Sequence, residues 1–452
     1  MTFNTVDELT VSPAHGRIYE EGWQSWSPTT TYAITQTSRR PESGLRHLMR
    51  FRPGMEQPGS GFHAEGLLVV DPGTGDPVRV YGAVPGSDAV PSIRAELDGD
   101  TLRVSADGPV SSFDSPDLVA GLTRFGDEYG AARVSPLKTP PAVWCSWYRY
   151  FENVTEQDIL ENLDAIERSQ LPVDVIQLDD GWETAVGDWA PRTDRFPYLA
   201  GMAQRIHSSG RRAGIWVAPF IAGTQTDLAR DHPDWLMGPA GFNWGQELRG
   251  LDLTNPGLRD YLWTTFRNLH ETGFDYFKLD FLYGGALPGD RLVDVGAVEA
   301  YRSGLELIRD AVGPDSYLVG CGAPILPSVG LVDGMRVSPD TFHEHAQDAD
   351  GELRGAIGTA ARAWQHGRFW ANDPDCLVAR PAFALREAWA KVIEEHGGLR
   401  SASDRIAELD EWGLETTRRI LGTAPPPSPF PAFPSSPASP SRVSASKPNG
   451  PS

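Results

Sequence analysis

The chain has 452 residues, of which 40% are apolar and 22% charged, an ordinary balance for a folded protein with room for one large domain and a smaller companion. Forty Lys and Arg against 61 Asp and Glu leave a net charge of −21, which argues against partners that need a basic face, whether nucleic acid or anionic membrane. No window approaches the roughly 18–20 apolar residues of a membrane span, no secretory signal pattern is visible, and three cysteines make no disulfide framework, so a cytoplasmic location is expected.

Taken in chain order, residues 1–135 are rich in Gly, Pro, Ser and Thr, with short apolar runs such as Gly66-Leu67-Leu68-Val69-Val70 and Val78-Arg79-Val80-Tyr81 between turn signals like Asp71-Pro72-Gly73. This predicts a small β-sandwich or half of one. Over residues 136–423 apolar strands alternate with amphipathic helices. Strands are predicted at Val143–Trp147, Val173–Leu178, Arg212–Val217, Phe274–Leu279, Tyr317–Gly320, Gly334–Val337 and Phe369–Ala371, with a weak eighth near Leu399. Helices are predicted at Glu156–Arg168, Pro256–His270, Val298–Val312, Glu352–Gln365 and Phe383–Glu395. Thr155 three residues before Asp158 resembles a capping box, and Asn255-Pro256 a cap with proline at the first helical position. Eight such units fit a (β/α)₈ barrel. An open doubly wound sheet is the alternative, but no GxGxxG or Walker pattern follows the first strand. Residues 424–452, Pro/Ser-rich throughout, cannot bury a core and are expected to be disordered.

Barrels place chemistry at the C-terminal ends of their strands. There the sequence puts Asp179-Asp180-Gly181-Trp182, Lys278-Leu279-Asp280-Phe281, Arg336-Val337-Ser338-Pro339-Asp340 and Asn372-Asp373-Pro374-Asp375-Cys376. Like charges crowded on one rim are costly, because each raises the others' pKa, and a ligand, metal or reaction is what keeps such a cluster. Glycoside hydrolysis uses two carboxylates without a metal. Asp280 beside Lys278 has the setting of a nucleophile kept ionised by an ammonium. Asp340 could serve as general acid, with its pKa raised by burial and by Asp280. Arg336 fits sugar binding or carboxylate orientation, and Asp179 and Asp180 are acceptors for neighbouring sugar hydroxyls. Metal is the rival use of such residues, but His343-Glu344-His345 and Asp348-Ala349-Asp350 match no metal motif, so neither metal nor cofactor is expected. Cys145, Cys321 and Cys376 lack CxxC spacing and read as core or pocket-wall residues. The fourteen tryptophans suit stacking on sugar faces, although any single one is more often core.

Trp144-Cys145-Ser146-Trp147-Tyr148, Asp179-Asp180, Gly214-Ile215-Trp216, Phe277-Lys278-Leu279-Asp280-Phe281, Gly320-Cys321-Gly322, Arg336 to Asp340 and Trp370 to Cys376, in that order and spacing, resemble the α-galactosidases of glycoside hydrolase family 36. The resemblance covers about residues 140–420 together with Gly22-Trp23-Gln24-Ser25-Trp26. It implies a retaining hydrolase that forms a covalent galactosyl-enzyme on Asp280, with Asp340 as acid/base. It further implies that Asp179 and Asp180 hold O4 and O6 of galactose, that Lys278, Arg336 and Cys321 contact the sugar, that Trp147, Tyr148 and Trp216 form an aromatic wall, and that Trp26 is a lid. Terminal α-galactose of oligosaccharides such as melibiose or raffinose is the implied substrate. Galactosyl transfer to sugar acceptors, hydrolysis of α-N-acetylgalactosaminides and a catalytically silent galactoside-binding protein are the alternatives. Against the family pattern, the N-terminal sandwich reads as shortened and a C-terminal β-domain as missing, which leaves a homo-oligomer open.

Overall fold

A computed structural model describes residues 2–40, 45–132, 136–341 and 353–423. The Pro/Ser-rich stretch 424–452 and the His343–His345 and Asp348–Asp350 clusters lie outside the described residues.

The first part is a two-sheet antiparallel sandwich. Asn4–Thr10, Thr101–Ala106, Ser92–Asp98 and Phe62–Glu65 form one sheet in that order, and Thr30–Ala33, Arg17–Glu20, Leu67–Asp71, Val78–Ala83 and Val110–Ser115 form the other. Strand alternation sends side chains to opposite faces. Ile18, Leu68, Val70 and Tyr81 therefore meet Phe62, Ile93, Leu102 and Val104 between the sheets, while Tyr19, Leu67, Val69 and Val80 join the core that continues into the barrel. Both faces are buried, so Leu67-Leu68-Val69-Val70 reads as a continuous apolar run rather than an alternating one. The helix Leu118–Ala131, which the sequence pattern did not reveal, is capped by Asp117 and wedges Leu122, Phe125 and Tyr129 into the same seam. The strands Asn4–Thr10 and Arg17–Glu20 both precede the Trp23–Trp26 segment, and each sits in its own sheet.

The eight-stranded parallel sheet is the expected barrel. Its strands are Ala142–Cys145, Val175–Leu178, Arg212–Val217, Phe274–Leu279, Tyr317–Gly320, Gly334–Arg336, Ala371–Asp373 and Arg400–Ala402, each pairing with the next in chain order through the seventh, and the eighth pairing with the first. The Gly398 and Leu399 N–H groups donate to the Asn372 carbonyl at 2.9 and 2.7 Å, stitching the seventh strand to the eighth.

The helix signals are realised. Thr155 and Asp158 form a reciprocal capping box on Glu156–Arg168, and Asn255 accepts from Gly257 and Leu258 ahead of Pro256 on Pro256–Thr272. Leu305, Ile308 and Val312 are buried on Ala297–Val312, with Leu307 half-buried beside them. Two boundaries differ in ways that matter for the site. Strand one ends at Cys145, because Ser146 turns into the helical conformation and Trp147–Tyr150 forms a single helical turn. Strand seven begins later, so Asn372 and Asp373 lie within it. After strand three the chain leaves the barrel for a three-stranded excursion, Ile221–Gly223, Leu236–Asn243 and Gln246–Leu251, whose tip overhangs the strand ends.

Candidate active site

Strands two, four and six end around a cavity of about 380 Å³, lined by Asp179, Asp180, Lys278, Asp280 and Asp340, by Trp147 and Trp216, and by Trp26 from the sandwich. Eight of the eleven residues singled out in the sequence therefore share one cavity. Tyr148, Cys321 and Arg336 do not line it. They are buried just behind the wall.

The strands fix these carboxylates by local bonds. Asp280 leaves strand four with its Oδ1 accepting from the Phe281 N–H at 2.8 Å and its Oδ2 from Trp216 Nε1 at 3.0 Å. Lys278, two residues earlier, donates through Nζ to Asp179 Oδ2 at 3.0 Å. Burial works against the ammonium, but Asp179 and Asp280 outweigh it and hold its pKa well above the ordinary lysine range. The same Asp179 oxygen accepts from Gln177 at 2.6 Å and from the Cys145 thiol at 3.3 Å. Asp180 Oδ2 accepts from Trp244 Nε1 at 2.8 Å. Burial and the neighbouring Glu183 push the Asp180 carboxyl well up, and burial raises Glu183 as well, so this pair is set to share a proton. The turn between them needs Gly181, at φ +113°, where a Cβ would meet the Glu152 backbone at 2.7 Å.

Asp340 stands across the cavity. Arg336 Nη1 reaches its Oδ1 at 3.0 Å, while the same guanidinium pairs with Asp373 and Asp375 at 3.3 and 2.9 Å. Half of the Asp340 side chain is accessible where it faces the cavity, and the rest packs against protein. Burial first, then Asp375 and Asp280, raise its pKa to about 6 against the pull of Arg336 and Lys278. Asp375 orders this corner. It accepts from Arg336, from the Thr341 N–H at 2.9 Å and from the Tyr148 hydroxyl. Those bonds hold Asp375 at φ +99°, a left-handed conformation that a non-glycine residue seldom adopts. Burial keeps the Tyr148 hydroxyl and the Cys321 thiol protonated, and Asp280 acts on Cys321 in the same direction.

The sandwich supplies the roof. Trp26 lies edge-on to Phe281 and Tyr283, at ring centroid separations of 5.1 and 6.0 Å. It lies so close over Gly322 (φ +53°) that a Cβ there would fall 2.8 Å from the indole. Glycine at 322 thus leaves the room that the Trp26 indole occupies.

A melibiase family model matches residues 137–284. The chain is 31% identical over 154 residues to an α-galactosidase of Escherichia coli, covering 31% of this chain and 22% of that protein. It is 27% identical over 191 residues to α-galactosidase 2 of Pediococcus pentosaceus, covering 38% of this chain and 26% of that one. Among solved structures, the α-galactosidase TtGalA of Thermus thermophilus, in complex with p-nitrophenyl α-D-galactopyranoside, superposes with a TM-score of 0.75 at 29% identity, over 93% of this chain and 89% of that one. The chain is similar to α-galactosidases in both sequence and fold. The family 36 α-galactosidase AgaA of Geobacillus stearothermophilus shares the fold, with a TM-score of 0.61 at 17% identity. The matched region spans about a quarter of the length of the curated relatives.

Several residues at this site escaped the sequence reading. Phe242, Asn243, Trp244 and Met49 also line the cavity. The first three sit at the tip of the excursion after strand three, and Met49 packs against Gly241. None lies at the end of a barrel strand, so position along the barrel gave no signal for them. The Trp count was the only hint. Glu183 stood one residue past the quoted Asp-Asp-Gly-Trp run and could have been found from its charge alone.

Proposed function

We propose that this chain is a retaining α-galactosidase that cleaves terminal α-galactose from galacto-oligosaccharides, with Asp280 as nucleophile and Asp340 as acid/base. One observation carries the reading: two carboxylates in different electrostatic settings face the same sugar-sized cavity. Asp280 is fixed by two N–H donors and has an ammonium two residues away, which suits an ionised nucleophile. Asp340 has its pKa raised to about 6, which suits a group that must give a proton and then take one back. In the first step the carboxylate attacks the anomeric carbon, the bond to the leaving oxygen breaks, and Asp340 supplies the proton to that oxygen. In the second, Asp340 removes a proton from water as the water displaces Asp280.

Asp179, Asp180 and Lys278 supply polar contacts for the sugar hydroxyls. The Trp26 indole N–H, buried with no partner among the described residues, is a further donor at the roof. Arg336 and Tyr148 act through Asp340 and Asp375 rather than on the sugar. That the glycone is galactose rests on the similarity to α-galactosidases and on the galactoside held by the Thermus thermophilus relative. Three buried free thiols suit a reducing cytoplasm, and no helix among the described residues is long and apolar enough to cross a membrane. The test is a panel of p-nitrophenyl glycosides. The α-galactoside is hydrolysed well ahead of the β-galactoside, the α-glucoside and the α-N-acetylgalactosaminide. Preference for any of those three would overturn the substrate assignment.

Two further outcomes follow. The alkaline limb of the kcat/KM profile falls with an apparent pKa near 6, because the protonated Asp340 that the first step requires is lost as pH rises through that value. A profile flat from pH 5 to 8 would remove Asp340 from the acid role. Trp244→Phe deletes the N–H to Asp180 but keeps a ring against Phe281, 5.0 Å away between centroids. KM for galactosides rises about tenfold with kcat little changed, the cost of one lost hydrogen bond to the Asp180 carboxyl. An unchanged KM would show that this bond does not position Asp180 for sugar.

A further inference from the structure

One side chain outside the cavity touches the supports of both its roof and its acid. Arg362 follows the helix Arg354–Ala361 and is completely buried. A guanidinium carries five N–H groups, and here five acceptors meet them. Nε donates to Glu21 Oε1 at 2.8 Å, Nη1 to the Ser25 and Val337 carbonyls at 2.8 Å each, and Nη2 to the Gln24 carbonyl at 3.2 Å and Thr29 Oγ1 at 2.6 Å. Four of these belong to the sandwich segment that carries Trp26. The fifth, Val337, stands three residues before Asp340.

The surroundings leave little slack at either end. Ser25 donates through its N–H to the Ala323 carbonyl at 3.0 Å, and the Trp26 N–H is held by Gln24 Oε1 at 3.0 Å. Residues 24–26 are therefore gripped between Arg362 and the segment that follows strand five. The Val337 N–H donates to the Asp373 carbonyl at 3.0 Å, so with the Arg362 bond to its carbonyl both backbone polar groups of Val337 are held. Glu21 is equally buried. Its second oxygen accepts from the Tyr19 hydroxyl at 2.8 Å and Gln365 Nε2 at 2.9 Å.

A buried ion pair is weak evidence of stability, since its desolvation cost offsets much of the attraction. What this one contributes is geometry, because a planar five-donor fork fixes the relative placement of everything it holds. We propose that Arg362 is a positioning residue that couples the two domains at the site, setting the Trp26 roof and the Asp340 acid in register with one another. Its kinetic consequence rests on the galactosidase reading, whereas its structural consequence does not.

Arg362→Lys is the informative variant. It keeps the charge beside Glu21, but its three N–H groups abandon at least two of the five acceptors. For methyl α-galactoside, whose leaving group needs the proton, kcat/KM falls about 100-fold, and for the p-nitrophenyl galactoside only about tenfold. A purely structural role would lower the two equally, through loss of active protein, and equal losses would overturn the proposal. Amide hydrogen exchange supplies a readout independent of activity. Residues 24–27 and 336–341 both exchange faster in Arg362→Lys than in the parent protein, and loosening of one segment alone would also overturn the coupling. If the parent protein hydrolyses no galactoside, the functional reading fails and the exchange comparison decides this proposal by itself. If Arg362→Lys does not accumulate as folded protein, Thr29→Val removes one acceptor and keeps both charges. It is expected to shift the ratio of the two substrates about threefold in the same direction, and an unchanged ratio would count against the coupling.

Discussion

Asp280→Asn is expected to lower kcat/KM for p-nitrophenyl α-galactoside by about four orders of magnitude while galactose still binds, as calorimetry with the free sugar would show. The physical reason lies in what the substitution removes and what it spares. The carboxylate sits between the Trp216 indole N–H and the Phe281 N–H, and an amide of the same shape fills that place without the negative charge needed to attack the anomeric carbon. Lys278 remains paired with Asp179 at 3.0 Å, and Asp180 remains bonded to Trp244, so the polar contacts for the sugar persist. A variant within tenfold of the parent activity would remove Asp280 from the nucleophile role. Loss of galactose binding together with activity would show instead that Asp280 serves chiefly to hold the sugar.

Asp340→Asn is the second large effect, and it depends on the leaving group. Alkyl galactosides, whose departing alkoxide is a strong base, lose about a thousandfold in kcat/KM, the upper part of the range for general acid catalysis. A nitrophenolate leaves without much help, so the corresponding loss for the aryl substrate is about tenfold. The fall in rate above pH 6 disappears in the same variant, because the group that titrates there is gone. Equal losses for both substrates would assign Asp340 to substrate binding. Arg362→Lys, which leaves the acid in place but loosens its support, should lie between the parent and this limit in the ratio of the alkyl to the aryl loss.

The barrel was readable because its signals are local. Apolar strands such as Arg212–Val217 and Phe274–Leu279 appear in the structure with the bounds read from the sequence, and the capping box at Thr155 and Asp158 fixes the start of its helix with bonds spanning only three residues. The strand-end carboxylates were legible for a related reason. A barrel converts position along a strand into height, and charge at the C-terminal end is costly unless used.

What the sequence did not disclose depends on contacts between distant residues. Trp244 reaches Asp180 only because the excursion after strand three folds back over the rim. Arg362 meets Glu21 across 341 residues, and no periodicity announces such a partner. Tyr148 was expected in an aromatic wall. Strand one ends two residues earlier than the apolar pattern implied, and the helical turn that follows takes the Tyr148 hydroxyl to Asp375, with the ring buried behind the cavity.

The central claim is a two-step displacement on the carboxylate of Asp280, and the most direct measurement is proton NMR of the first sugar released from p-nitrophenyl α-galactopyranoside, recorded before mutarotation. Two inversions at the anomeric carbon return the starting configuration, so the account predicts α-galactose first, with the β anomer growing in later. First-formed β-galactose would mean a single displacement by water and would contradict it.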